Sequence, residues 1–214
     1  MGGFRRAAAA VLAGASFFVG LEDAAAQVVA EPALLTARVP DNEVFLPYIA
    51  FPSNSFVIGG MLRFPVATDI DIGGRAGLWL RDNGKDNPYA GADMRYELLS
   101  RPLDPGGGQL TLSFDVGLGV SNPGPTVWKI PLGVIAGVGF KLAGGDSEVY
   151  ANPRLEFGIS SDSSDSTDSA LLLDLGGLFT IKPTLGVITA VRFGDGVFLE
   201  GDKVVLAVGL SWII

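Results

Sequence analysis

From residue 43 onward, apolar and polar side chains alternate with a period of two, in runs broken by clusters of Gly, Pro, Asn, Asp and Ser. A period of two places successive side chains on opposite faces of a β-strand. The runs predict strands over 43–51, 55–65, 69–81, 89–99, 109–121, 127–142, 147–160, 170–182, 184–200 and 203–214. That makes about ten strands, with eight as the alternative. The first run is the poorest match, because Pro47 lies inside it and proline donates nothing to a ladder. The last run, KVVLAVGLSWII, shows the pattern most plainly. Val204, Leu206, Val208, Leu210, Trp212 and Ile214 share one face. Lys203, Val205, Ala207, Gly209, Ser211 and Ile213 share the other.

Charge sorts with the alternation. One face consists of the even positions of 56–64, 70–80, 90–98, 110–120, 128–142 and 204–214, and the odd positions of 149–159, 171–181 and 185–193. It carries no Asp, Glu, Lys or Arg. The opposite face carries Arg63, Asp69, Asp71, Arg75, Arg81, Asp93, Arg95, Glu97, Asp115, Lys129, Lys141, Glu148, Arg154, Glu156, Asp174, Lys182, Arg192 and Lys203. A soluble β-sandwich produces the same alternation, with its apolar face turned inward. Three features favour apolar-outward instead. The apolar face is uniform over nine runs. The runs reach lengths suited to tilted membrane strands, which need about 9–11 residues. The chain also stops on an apolar strand, where an exposed edge in water invites aggregation. The expectation is an all-β, antiparallel up-and-down transmembrane β-barrel over 43–214. Its ionic groups meet one another inside.

Composition agrees with that picture. Apolar residues make up 48% and charged residues only 18% of the 214, and the mean hydropathy is +0.40. No apolar run after the N-terminus is long enough for a membrane-spanning helix. Glycine is abundant, at 30 residues. Gly73, Gly117, Gly119, Gly133, Gly137 and Gly139 fall inside the alternating runs, where a missing side chain leaves room in a narrow interior. Cysteine and histidine are both absent. Disulfides, thiolate metal sites and cysteine nucleophiles are therefore excluded, and so is the commonest general base. A net charge of −8 argues against nucleic acid as a partner.

The N-terminus carries a targeting signal by its pattern. Arg5 and Arg6 precede an apolar stretch over 7–21, and Ala24, Ala25 and Ala26 offer a small-residue cleavage site before Gln27. Residues 1–26 therefore read as a secretory signal peptide of the Sec type, removed after Ala26. No lipoprotein cysteine follows it. Residues 27–42, with Pro32 and Pro40, read as a periplasmic lead-in or a small interior plug. Short connections at 65–68, 144–146 and 182–184, with 100–108, contrast with polar connections at 82–88, 122–125, 161–169 and 200–202. In membrane barrels the short turns face the periplasm and the longer loops face outside. Trp79, Tyr89, Trp128, Tyr150, Phe193 and Trp212 lie near strand ends, where aromatic girdles form.

The signal peptide, the alternating strands and the terminal LAVGLSWII together resemble small bacterial outer-membrane β-barrel proteins of the OmpA/OmpX-like kind. The resemblance covers about 43–214 and is one of architecture. It implies a Gram-negative-type envelope, with the lipid bilayer and lipopolysaccharide as surroundings. It also implies that the barrel-assembly machinery reads the terminal strand, here through Leu210, Trp212 and Ile214. The terminal residue is Ile214, where the family commonly ends in an aromatic.

Candidate chemistry is sparse. Arg75, Asp93, Arg95, Glu97, Asp115, Arg154, Glu156, Asp174 and Arg192 are expected to form a mid-lumen charge network. Such a network is either a set of packed ion pairs or a selectivity constriction. The acidic stretch 161–169, SDSSDSTDS, lacks the ligand order and glutamate of an EF-hand, and reads as a solvated loop. The three glycines at 106–108 lack the Lys-Ser/Thr of a phosphate loop. No enzyme activity, metal or cofactor is expected. The expected role is that of a monomeric outer-membrane barrel, structural or a narrow passive channel for ions and small solutes. A surface-binding or apolar-ligand-binding barrel, using its loops or the apolar patch 130–142, is the alternative. A lipid-acting enzyme without histidine ranks last.

Overall fold

A computed structural model describes residues 33–52, 55–81, 86–103, 108–121, 126–161, 167–195 and 203–214. The signal peptide expected over 1–26 lies outside them, as do the tips of the polar loops. Ten strands follow one another: β1 Val44–Phe51, β2 Ser55–Pro65, β3 Ile70–Arg81, β4 Asn87–Pro102, β5 Gln109–Ser121, β6 Val127–Leu142, β7 Gly145–Ser160, β8 Thr167–Lys182, β9 Leu185–Phe193 and β10 Val204–Ile213. Each pairs antiparallel with the next. β1 and β10 then join, Val44 opposite Ile213 and Phe51 opposite Leu206, to close an up-and-down barrel. Closure satisfies the outer edges of β1 and β10, which an open sheet would leave unpaired. The end of β2 and start of β3, the end of β4 and start of β5, the end of β6 and start of β7, and the end of β8 and start of β9 lie together with the start of β1 and the end of β10, here called the turn end. The opposite strand ends form the loop end.

Three strand ends depart from expectation by three residues or more. β4 runs on to Pro102 through a bulge between Glu97 and Leu99. The extra residue sends Leu98 and Leu99 both outward, at 52% and 36% exposure. β8 begins at Thr167 and takes three residues from the expected acidic loop. β9 stops at Phe193 because Gly194 turns the chain with φ of 109°, a conformation open to glycine and strained for other residues.

Three prolines sit well within strands, away from the ends, at a consistent cost. Pro47 is in register with Gly60, Pro131 with Glu156 and Pro153 with Leu173. On the opposite side of each proline the pairing skips: Phe45–Trp212 to Tyr48–Gly209, Val116–Leu132 to Gly119–Lys129, and Gly133–Arg154 to Ala136–Ala151. A residue without an N–H cannot serve two neighbours equally.

The two faces are inverted relative to a soluble protein. Every strand places large apolar side chains outside, among them Phe45, Ile58, Leu78, Met94, Phe114 and Val134. Arg63, Asp71, Arg95, Lys129, Glu156 and Arg192 are buried inside. The aromatic residues divide by the same parity. Trp128, Phe193 and Trp212 point outward, whereas Trp79, Tyr89 and Tyr150 are buried in the lumen and cannot join an exterior girdle.

Candidate functional site: a filled lumen

The inward positions of β2 to β8 hold two chains of alternating charge. In the first, Arg63 grips Asp71 with two nitrogens, at 2.9 and 2.7 Å, and reaches Asp93 at 2.6 Å. Arg75 holds the other oxygen of Asp93 at 2.9 Å, and Arg95 donates to Asp71. In the second, nearer the loop end, Lys129 meets Glu156 at 2.9 Å. Arg154 lies 3.5 Å from Glu156 and 2.8 Å from Asp174. Arg192 is fully buried and stands in register with Asp174. Such charges are tolerated away from water because Arg63, Arg75, Arg95, Lys129 and Arg154 each lie against a carboxylate.

Of the nine network residues expected from sequence, Arg75, Asp93 and Arg95 belong to the first chain, and Arg154, Glu156 and Asp174 to the second. Arg192 adjoins the second. Glu97 is half-buried near the turn end and accepts a bond from the backbone N–H of Val39 at 3.1 Å. Asp115 stands in register with Arg95, between the two chains, and forms no ion pair with either. It is 3% exposed, and its Oδ1 has no hydrogen-bond partner. Arg63, Asp71, Lys129 and Glu148 are central to the lumen and were not among the nine. All four were visible on the charged face. Nothing in the alternation ranks one inward charge above another. The terminal-strand residues Leu210, Trp212 and Ile214 are exposed on the outside, at 48%, 56% and 63%.

Glycine makes room for these side chains. A Cβ at Gly73 would sit 2.6 Å from Arg63 Nη1 and 3.0 Å from Asp93 Oδ1, in the middle of that ion pair. Gly73→Ala is therefore expected to destabilise the barrel by about 1–3 kcal/mol, although alanine suits a strand no worse than glycine. A denaturation midpoint equal to the parent's would show that the pair can move aside.

The other part of the lumen is apolar. Leu46, Tyr48, Val57, Met61, Ile188 and Val205 line the strands flanking the β1–β10 junction. Tyr48 and Tyr89 share a hydrogen bond at 2.5 Å between their hydroxyls. Between the apolar and charged sides lies the segment preceding β1. Ala33, Leu34, Leu35, Ala37 and Val39 are at most 5% exposed, and the first four belong to the same apolar cluster.

The backbone of that segment is held by the charged side. Glu148 accepts from the N–H of Ala37 and, at 3.3 Å, from that of Arg38. Arg95 donates to the carbonyl of Thr36 and, at 3.1 Å, to its hydroxyl. Ser113 donates to the carbonyl of Ala37, and Tyr150 to that of Ala33 at 2.8 Å. Residues 33–39 thus occupy the space a pore would need.

No group of three or more His, Cys, Asp and Glu side chains suited to a metal occurs among the described residues. No protein-family model matches the chain, and no curated protein shows significant similarity to it.

Proposed function

We propose that this protein is a bacterial outer-membrane β-barrel that spans the lipid bilayer and stands closed, with a structural role in its resting state. The observation that carries this reading is the inversion of its faces. Phe, Leu, Ile, Val and Trp side chains surround all ten strands, while arginine, lysine and carboxylates are buried within. In water such a surface would far exceed the apolar patches that monomers tolerate. In hydrocarbon it costs nothing, and the closed ladder leaves no open sheet edge. Export by the signal at 1–26, insertion through the assembly machinery and contact with lipopolysaccharide belong to the same proposal, as does a monomeric state.

A closed lumen follows from its contents. Lys129 and Arg192 are 0% exposed and Arg95 is 1% exposed, so water has little access to them. The narrow-channel reading therefore requires movement of residues 33–39. Two measurements test the proposal. The protein extracted in detergent should migrate differently on a gel before and after boiling, as a folded barrel does. Unboiled and boiled samples running alike, or recovery as a detergent-free soluble monomer, would remove the membrane reading. Reconstituted into a planar bilayer, the full chain should give no unitary current steps; regular steps would show an open lumen.

A further inference from the structure

We infer that the lumen is a binding site for a short apolar peptide, and that residues 33–40 are its resident, displaceable occupant. The segment meets the barrel as a ligand meets a receptor. It adds no strand to the ladder, since the barrel closes through β1 and β10 without it. Its side chains pack into an apolar wall that includes Leu46, Met61 and Ile188. Its main chain is read by groups placed for amides. The two Glu148 oxygens take consecutive N–H groups, while Arg95, Ser113 and Tyr150 each donate to a carbonyl. Gly137 completes the fit, because a Cβ there would press on the Ala37 methyl at 2.8 Å and on Glu148.

Main-chain reading combined with apolar pockets is the chemistry by which proteins take peptides in general. It selects a class of occupant: a chain segment with free amides, small or branched apolar side chains and no buried charge. The covalent link runs through Asp41 and Asn42, which are exposed. Through so short a tether the resident acts at an effective concentration on the order of mM. A free peptide therefore competes poorly with it until the tether is cut. The inference rests on the filled lumen of the proposed function, but not on the bilayer, and its test is read in detergent.

The experiment uses the full chain. A protease site is placed at Asp41–Asn42, and the folded protein is cut in detergent. Washing is followed by mass spectrometry. A labelled synthetic peptide of the sequence ALLTARVP, residues 33–40, is then titrated by fluorescence anisotropy. The cut barrel should release its segment and bind the peptide saturably, while the uncut chain binds it at least tenfold more weakly. The peptide with Leu34→Asp and Leu35→Asp should bind at least tenfold more weakly than the parent sequence. A cut barrel carrying Glu148→Gln should bind roughly tenfold more weakly as well, having lost a charged acceptor.

Retention of the segment after cutting, with release from a chain carrying Leu34→Asp and Leu35→Asp, is the same result for tighter binding. Three outcomes would overturn the inference. One is release of the segment with no peptide binding beyond that of the uncut chain. Another is retention regardless of the two aspartates. The third is loss of the unboiled, folded gel band on cutting, which would make the segment part of the fold rather than its ligand.

Discussion

Asp71→Ala is expected to lower the stability of the barrel by about 3–5 kcal/mol. Asp71 is fully buried between two guanidinium groups, bonded twice to Arg63 and once to Arg95. Its removal leaves both cations in place without the carboxylate they share. Arg63 keeps Asp93 and Arg95 keeps Thr36, but neither regains the lost charge. The loss is one of desolvation without compensation, which exceeds the net contribution of the intact pair. A urea titration of the folded barrel in detergent measures it, with the unboiled gel band as a second readout. A loss below about 1 kcal/mol would mean that water reaches the two arginines, which the closed lumen forbids.

Val208→Arg is the second expected large effect, and it depends on the surroundings rather than on the fold. Val208 lies near the middle of β10, 42% exposed, with Leu206 and Leu210 beside it on the outer face. In a lipid vesicle, arginine near mid-depth should cost about 2–4 kcal/mol. A surface substitution in water usually stays within about 0.5 kcal/mol of neutral. Folding into vesicles and titrating with urea separates the two. A cost of 2 kcal/mol or more supports hydrocarbon at that face. A value near zero would place the same side chain in water, and the proposed location would fall with it. The two substitutions are complementary: one tests what fills the inside, the other what touches the outside.

Much of the architecture was legible because a strand wall has only two faces and local sequence writes both. The alternation in β5 is enough to place Thr111, Ser113 and Asp115 inside, and Phe114 and Leu118 outside. Its limits appear where a backbone irregularity resets the parity. The bulge at Glu97 and Leu99 did so in β4, and φ at Gly194 ended β9 where apolar residues run on. The aromatic residues show a related limit. Trp79 and Trp128 both lie near strand ends, and only their parity separates a lumen residue from an outward one.

The sequence by itself thus placed the strands and sorted charged from apolar faces, while leaving ten or eight strands open, because these faces depend on neighbours one or two residues apart. Only the tertiary structure decided which charges meet and what closes the lumen. Glu148 and Ala37 are 111 residues apart, and Ser113 and Ala37 are 76 apart. Those contacts follow from the stagger of ten strands around a closed ring. The physical reason is range. Alternation is a property of the backbone over two residues, whereas the interior is a shared volume. What fills it depends on register and closure together, and no stretch of chain carries either alone.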